Sequence, residues 1–183
     1  MIQKASSALE QLRDTPGKAE IINGKVVLMS PAGYRHNRKS NRIVRSLEDH
    51  EHQQGRGVAF SDNLGFIVDL PNRESFSPDA GWLVNPPDED DEDFVSGPPT
   101  FAVEIRSKHD YGPVAEAAIV AKIADYFAAG TLVVWDVELK REQVIRCYRA
   151  ASPAEPQVFH RGDIADAEPA VPGWKLEVEE LFR

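Results

Sequence analysis

The amino-acid sequence predicts an α/β protein with a mixed central β-sheet. A strand pattern at 101–106, a helix pattern at 114–129 and an apolar strand pattern at 131–137 follow one another along the chain. This order favours a parallel crossover. A hairpin signal at 19–29 predicts an antiparallel strand pair earlier in the chain. The chain of 183 residues has the length of a single domain with a sizeable core.

Turn residues separate the elements expected in the first half of the chain. A short helix is predicted over 6–13, before Pro16, because proline disrupts a helix interior. Strand patterns at 19–22 and 25–29 flank Asn23-Gly24, a dipeptide favoured in type I′ hairpin turns. The other elements predicted here are a helix over 35–53 that ends at Gly55, and strands over 58–61, 65–70 and 79–84.

An acidic loop is expected between the two halves of the chain. It covers 86–99 and contains six consecutive acidic residues at 88–93, with prolines on both sides. This composition is typical of an exposed, mobile loop. Beyond it, Gly130 is expected to end the crossover helix, and a strand over 143–148 is expected to pair with the strand before it.

The C-terminal part of the chain is rich in Pro and Ala over 150–172 and leads to an edge strand at 174–178 and a short terminal segment. We therefore expect one domain over 1–183, with a core over about 19–149 and a C-terminal tail over 150–183.

The composition excludes several classes of protein. Hydrophobic residues make up 42% of the chain and charged residues 28%, as in ordinary globular proteins. No run approaches the roughly 20 apolar residues of a membrane span, and the first residues lack the apolar core of a signal peptide. Cys147 is the only cysteine, which excludes an internal disulfide and a cysteine-based zinc cluster. The expectation is a cytoplasmic protein with no membrane partner.

The charge distribution leaves a nucleic-acid partner open. The net charge of −9 argues against a strong nonspecific nucleic-acid binder, although the acidic loop carries much of it. The segment 34–47 is basic, and a helix with this composition is either a solvated surface helix or a phosphate-binding one. Its basic residues are Arg35, Arg38, Lys39, Arg42 and Arg45, with His36 beside them.

The strand at 101–106 carries the most informative candidate site residue. Phe101, Val103 and Ile105 alternate with Ala102, Glu104 and Arg106, so the two sets lie on opposite faces. A carboxylate in the middle of such a strand is costly unless it has a partner. With Asp79 at the head of another strand, Glu104 and the Ile105 carbonyl would supply the oxygen ligands that a hard divalent cation prefers.

A lysine would complete the layout of a metal-dependent phosphodiesterase, because it can orient a water molecule and stabilise charge. The third residue of the usual Glu-x-Lys motif, two positions after Glu104, is Arg106 here, which stays protonated and can only clamp a phosphate. Lys122 is the better candidate. It borders the apolar stripe of the helix 114–129 and could reach the end of the sheet.

The chain resembles the Uma-two family of restriction endonucleases, a branch of the PD-(D/E)XK nuclease superfamily. The resemblance covers about 19–149, and the order and spacing of its short motifs make it specific. The matching stretches are Glu20 to Pro31 with His36, Ser77-Pro-Asp79, Val103 to Ser107 with Asp110, and Lys122 to Gly130 leading to Val134-Trp-Asp136.

This resemblance implies a restriction-endonuclease-like core, in which a central sheet is flanked by helices. It also implies a site built from Glu20, Asp79, Glu104 and Lys122, with Mg²⁺ or Mn²⁺ as cofactor. After the strand, family members commonly read Glu-Val-Leu-Ser-Pro-Ser, whereas this chain reads Glu-Ile-Arg-Ser-Lys-His from Glu104. The difference adds Arg106, Lys108 and His109 as phosphate contacts.

Two functions are therefore expected from the sequence. The first is a metal-dependent endonuclease that hydrolyses DNA, with nucleic-acid contacts from Arg35, His36, Arg38, Lys39 and Arg106. The alternative is a catalytically silent nuclease-fold protein with a binding or regulatory role, in which the acidic loop repels DNA or mimics it toward a basic partner. Many nuclease-fold proteins act as dimers, so a homodimer is also expected.

Overall fold

The structure, a computed structural model, describes residues 7–54 and 56–183. The predicted helix start at Ser6 and the predicted helix end at Gly55 lie outside these described residues. The helices are α1 (Ala8–Arg13), α2 (Tyr34–Gln54), α3 (Pro113–Ala129) and α4 (Val178–Phe182). Within 7–54 and 56–183, no helix is both long and apolar enough to pass through a membrane.

The strands of the described chain form two larger sheets and a small ribbon. In chain order they are β1 (Ala19–Ile22), β2 (Lys25–Leu28), β3 (Val58–Ser61), β4 (Phe66–Leu70), β5 (Arg73–Phe76), β6 (Ala80–Leu83), β7 (Val95–Ser96), β8 (Phe101–Ile105), β9 (Val133–Val137), β10 (Ile145–Arg149), β11 (Ser152–Phe159), β12 (Ile164–Asp166) and β13 (Lys175–Glu177). One sheet has the order β2-β1-β5-β4-β7, the other has the order β11-β10-β9-β8-β6-β3, and β12 pairs with β13.

The larger sheet is mixed, as the sequence predicts. β8 and β9 are parallel neighbours joined through α3, whereas β6 pairs with β8 in the antiparallel direction. The parallel pair confirms the predicted crossover, and the antiparallel neighbours confirm the mixed α/β class.

Two turns have the backbone conformations that their local sequences predict. In the β1–β2 hairpin Ile22 pairs with Lys25, and the intervening Asn23 and Gly24 have φ values of 51° and 71°. Both residues of a type I′ turn need positive φ, which explains the Asn-Gly pair. Gly130 ends α3 in the left-handed region with φ 113°, and its N–H bonds to the Tyr126 and Phe127 carbonyls.

The strand β8 separates two apolar clusters. Phe101, Val103 and Ile105 pack in one cluster with residues of α2, whereas Ala102 packs in a second cluster with residues of α3. The predicted alternation of faces is therefore confirmed. It also places Glu104 on the face of the sheet that α3 covers, which brings this carboxylate next to Lys122.

Strands also form where the sequence analysis expected none. β5 has the sequence Arg-Glu-Ser-Phe, which lacks the apolar alternation of a half-buried strand. It can still form a buried strand because its buried polar side chains have hydrogen-bond partners within the protein. β11 contains Pro153 and Pro156, and it lies at the edge of the larger sheet, where missing N–H donors are tolerated.

The C-terminal segment contributes to the main core. Trp174, Val178 and Leu181 are almost completely buried there, and the indole of Trp174 lies 5.0 Å from that of Trp135, centroid to centroid. The residues beyond 150 therefore form part of the apolar layer that covers the larger sheet on the α2 side.

Candidate active site

A cavity of about 1050 Å³ lies where the predicted site residues converge, and Asp79, Glu104 and Lys122 line it together. Asp79 directly precedes β6, and Ala80 pairs with Val103 of β8. This register sets Asp79 beside Glu104. The backbone N–H of Asp79 also donates to the Val103 carbonyl over 3.0 Å. The pairing of β6 with β8 therefore places the carboxylates of Asp79 and Glu104 side by side at the cavity wall.

Lys122, which lies on α3, contacts two carboxylates from other parts of the chain. Its Nζ lies 2.9 Å from Glu20 Oε1 and 2.9 Å from Glu104 Oε1. Burial disfavours the charged form of this lysine, but the carboxylates of Glu104 and Glu20 outweigh that effect and raise its pKa above the ordinary value. Lys122 therefore remains an ammonium near neutral pH, and its chemical contribution is positive charge rather than proton abstraction.

Glu104 presents one of its two oxygens to the cavity. Its Oε1 accepts the Lys122 contact and a hydrogen bond of 2.5 Å from the Tyr126 hydroxyl, whereas Oε2 accepts no hydrogen bond from any described residue. The side chain is 22% exposed. Burial raises the pKa of Glu104, and although Lys122 opposes this, the carboxylates of Asp79 and Glu20 add to the rise. Burial is therefore the main cause of the raised pKa of Glu104, and the two neighbouring carboxylates add to it.

Asp79 is held on both oxygens. Its Oδ1 lies 2.6 Å from the Nζ of Lys18, while Oδ2 accepts the backbone N–H of Ile105 over 2.7 Å and lies 3.0 Å from Nε2 of His36. Burial opposes ionisation of this carboxyl, but its bond to His36 and the charge of Lys18 lower its pKa well below the usual range. Asp79 is therefore a fixed anion in the cavity wall.

Lys18 is a site residue that the sequence analysis missed. Besides Asp79, its Nζ contacts Asp62 Oδ1 at 2.7 Å, and both Lys18 and Asp62 line the cavity. Lys18 lies directly before β1 and two positions before Glu20, a spacing at which side chains of an extended segment point to the same side. This spacing was the signal available in the sequence.

Glu20 supports the site from behind Lys122. It is 1% exposed and does not line the cavity. Its Oε2 accepts a bond of 2.6 Å from Arg73, and its Oε1 accepts the Ser77 N–H over 3.0 Å. Burial opposes its charge, but Lys122 and Arg73 prevail and lower the pKa of Glu20. With all its contacts inside the protein, Glu20 positions Lys122.

The predicted nucleic-acid contacts on α2 fall into two groups. Arg35 and Arg38 are exposed, and Arg35 lines the cavity. His36 and Lys39 are buried. His36 bonds to Asp79, and Lys39 donates to the Arg183 carbonyl over 3.0 Å. Burial, with the charge of nearby arginines, lowers the pKa of Lys39 to about 8.

Arg106 is committed to ion pairs within the protein. It donates to both oxygens of Asp136 over 2.7 and 2.6 Å and to Glu116 over 2.7 Å. The residue is only 7% exposed. This guanidinium group links β8, β9 and α3, and because Arg106 also lines the cavity, its predicted phosphate contact stays a prediction. Arg35 is the better-placed arginine for a bound anion.

The acidic loop lies away from the cavity wall, since none of the residues 86–99 lines the cavity. Asp93 pairs with Arg13 of α1, with a closest contact of 2.6 Å, and both side chains are about half exposed. These contacts attach the end of the loop to the first helix and not to the site.

The donor atoms at the cavity suit a hard divalent cation. Within 7–54 and 56–183, no three His, Cys, Asp or Glu side chains converge closely enough to hold a metal ion. Asp79 and Glu104 do lie together, with the Ile105 carbonyl next along β8, and Glu104 Oε2 is accessible. Oxygen donors of this kind, completed by water or phosphate oxygens, fit Mg²⁺ or Mn²⁺. Burial is the main cause of the raised pKa of Glu104, with a further contribution from Asp79 and Glu20, and a cation bound beside Glu104 would favour its ionised form.

The fold and this site together define a class of protein. Carboxylates from adjacent strands and a lysine from the crossover helix meet at one end of a mixed sheet, which is the layout of a nuclease fold.

The chain belongs to the Uma2 family, described as "Putative restriction endonuclease", whose sequence profile matches residues 6–179. Its fold is similar to the crystal structure of a putative nuclease belonging to DUF820 from Anabaena variabilis. The TM-score is 0.75 and the identity 20%, over 96% of this chain and 97% of that chain. No curated protein matches the chain. The predicted family and fold class are thereby confirmed.

Proposed function

We propose that this protein is a metal-dependent nuclease that hydrolyses phosphodiester bonds in DNA. The observation that carries the proposal is the convergence of Asp79, Glu104 and Lys122 on the wall of one cavity. These residues are separated along the chain and come from a strand entrance, a strand and a helix. Membership of the family described as "Putative restriction endonuclease" supports the same chemistry.

Asp79, Glu104 and the Ile105 carbonyl would hold the divalent cation. When bound, such a cation neutralises phosphate charge and lowers the pKa of a water molecule. The Lys18 ammonium, now 2.6 Å from Asp79 Oδ1, would have to move away from that oxygen for the cation to be held there.

Lys122 would supply fixed positive charge beside the reacting phosphate and orient the attacking water. Glu20 keeps the ammonium in place through a contact of 2.9 Å, and Tyr126 holds Glu104 through its hydroxyl. Because these partners are set before substrate arrives, little reorganisation is needed during the reaction. Arg35 at the cavity edge would contact a neighbouring phosphate.

Cleavage assays test this function directly. Plasmid and single-stranded DNA are incubated with Mg²⁺ or Mn²⁺, and EDTA is added to a parallel set. Wild-type protein should cut, EDTA should abolish cutting, and Glu104→Gln should lower the rate by about 100-fold or more, as expected for the loss of a preorganised electrostatic group. Glu155→Gln is the matched control, because Glu155 is exposed on the edge strand β11. Equal cutting by wild type and Glu104→Gln would refute the assigned mechanism.

A nuclease-fold protein that binds a partner without cutting is the second candidate function. It is favoured by the pairing of each site carboxylate with a protein cation: Glu20 and Glu104 with Lys122, and Asp79 with Lys18. Calorimetry with Mn²⁺ tests it, because absence of metal binding would favour this second function over the metal-dependent nuclease. The expected homodimer stays a prediction, which sedimentation equilibrium tests.

A further inference from the structure

We propose that the cavity accepts an unpaired DNA strand in preference to an intact duplex, and that Tyr34 stacks on one of its bases. This inference rests on the proposed nuclease function and specifies the substrate of the same site. It is carried by the recessed position of the carboxylates, the apolar side chains that form part of the cavity wall, an exposed aromatic ring at the cavity edge and the small number of unpaired positive charges.

The reactive groups are recessed within the protein. Asp79 is 5% exposed, and the side chains of Glu104 and Lys122 are 22% and 19% exposed. A duplex is a stiff rod with a persistence length of about 50 nm, so its phosphates cannot easily follow a recess of this kind. An unpaired strand bends freely, and its backbone can enter a cavity of about 1050 Å³.

The cavity wall suits the faces of unstacked bases. Apolar side chains come from the segment before α2, from α3 and from the loop after β9; they are Met29, Pro31, Ala32, Ala115, Ala118, Ile119 and Leu139. Duplex DNA shows a protein its phosphates and base edges, because the base faces are stacked inside the helix. Only an unpaired strand can bring base faces against apolar and aromatic side chains.

Tyr34 provides an aromatic surface at the edge of this cavity. It is the first residue of α2, it lines the cavity and it is 83% exposed. Its hydroxyl makes no hydrogen bond with any residue in the described part of the chain. A large aromatic side chain left open beside a catalytic cavity is suited to base stacking, which is independent of base sequence.

The distribution of positive charge also favours a single strand. Arg35 adjoins Tyr34, and Arg35, Lys108 and Lys140 line the cavity and are exposed, where they can meet the phosphates of one strand. Duplex DNA carries about one charge per 1.7 Å of its axis, and a protein with a net charge of −9 has little spare positive surface to match it. A single strand presents a lower charge density.

Fluorescence anisotropy in EDTA tests strand preference separately from cleavage. The probes are a labelled single-stranded DNA of 20 nucleotides, a blunt duplex of the same sequence and a single-stranded RNA of that sequence. Wild-type protein should bind the DNA strand at least about tenfold more tightly than the duplex. Tyr34→Ala should weaken strand binding roughly 5- to 150-fold, the range for loss of one stacked base, while Tyr34→Phe should bind like wild type.

Ile164→Ala is the matched control, because Ile164 is an exposed apolar residue, 56% exposed, that does not line the cavity. Duplex binding as tight as strand binding, no binding of any probe, or an unchanged affinity in Tyr34→Ala would each overturn the inference. Tighter binding of RNA than of DNA would overturn the choice of DNA. Metal-dependent cutting of duplex and single-stranded DNA at equal rates would sink this inference alone, whereas absence of metal-dependent cutting on every substrate would sink the proposed function.

Discussion

Replacing Lys122 with Met removes the ammonium group that bridges Glu20 and Glu104 while keeping an unbranched side chain on α3. Glu20 retains Arg73 as a charged partner. Glu104, by contrast, loses its contact of 2.9 Å and keeps only the hydroxyl of Tyr126. The pKa of Glu104 is already raised with Lys122 present, so it should rise further in the variant.

The size of the effect follows from the burial of these groups. Removing one partner of a buried ion pair costs about 3–5 kcal/mol, and the 19% exposure of the Lys122 side chain favours the lower part of that range. We therefore expect Lys122→Met to lower the free energy of unfolding by about 3 kcal/mol at pH 8. For a chain of this length that corresponds to a fall in melting temperature of about 6–12 °C.

The pH dependence identifies the cause. In the variant the folded-state pKa of Glu104 lies above its unfolded value, so the protein is destabilised as pH rises through the unfolded and then the folded pKa. Below the unfolded value Glu104 is protonated in both states and this penalty disappears. The difference between wild type and Lys122→Met should therefore be smaller at pH 4 than at pH 8.

Urea unfolding followed by tryptophan fluorescence measures this difference, because Trp82, Trp135 and Trp174 are all buried. Lys25→Met is the control, since Lys25 is exposed on β2 and such substitutions stay within about 0.5 kcal/mol. A loss below about 1 kcal/mol, or a loss of the same size at both pH values, would refute the assignment of Lys122 as the charge partner of a buried carboxylate.

Other predictions concern the supporting contacts. Glu138 accepts backbone N–H groups from 140–143; burial opposes its charge, but these bonds lower its pKa to about 2. Glu138→Gln should lower the free energy of unfolding by about 1.5–3 kcal/mol at pH 7. The loss should shrink as pH falls from the unfolded value towards 2, since the stabilisation exists above the unfolded pKa; urea unfolding at pH 3 and 7 checks both. Gly130→Ala places a side chain at φ 113° and should cost about 1–2 kcal/mol, and an unchanged unfolding midpoint would contradict this. Lys18→Met frees an oxygen of Asp79 and removes a repulsive charge, so Mn²⁺ affinity in calorimetry should rise by about tenfold or more; a fall would show that Lys18 instead organises the metal ligands.

Short-range patterns made much of the fold predictable. Asn23-Gly24 specified the hairpin through its φ values, and Gly130 marked the end of α3. The alternation in β8 assigned Glu104 to the face opposite Phe101. In each case the conformation depends on interactions within a few residues, so backbone sterics and side-chain periodicity are enough to predict it.

Contacts between distant parts of the chain were not predictable in this way. Arg73 meets Glu20 across 53 residues, and it lies in a strand without apolar alternation. Arg106 was interpreted as a phosphate contact because its partner Asp136, 30 residues away, could not be identified from spacing. Lys18 was not predicted as a site residue, because its partners Asp62 and Asp79 are far from it in the sequence.

The sequence by itself determined the class of fold and the family, and it predicted the carboxylates and lysine of the candidate site, because periodicity, turn chemistry and family motifs depend on residues close together in the chain. Only the tertiary structure decided which cations face which carboxylates. It showed Glu20 behind Lys122, Lys18 against Asp79 and Arg106 occupied by Asp136. Ion pairing depends on distances of a few ångströms between groups far apart in the chain, and those distances exist only once the sheets and helices have packed.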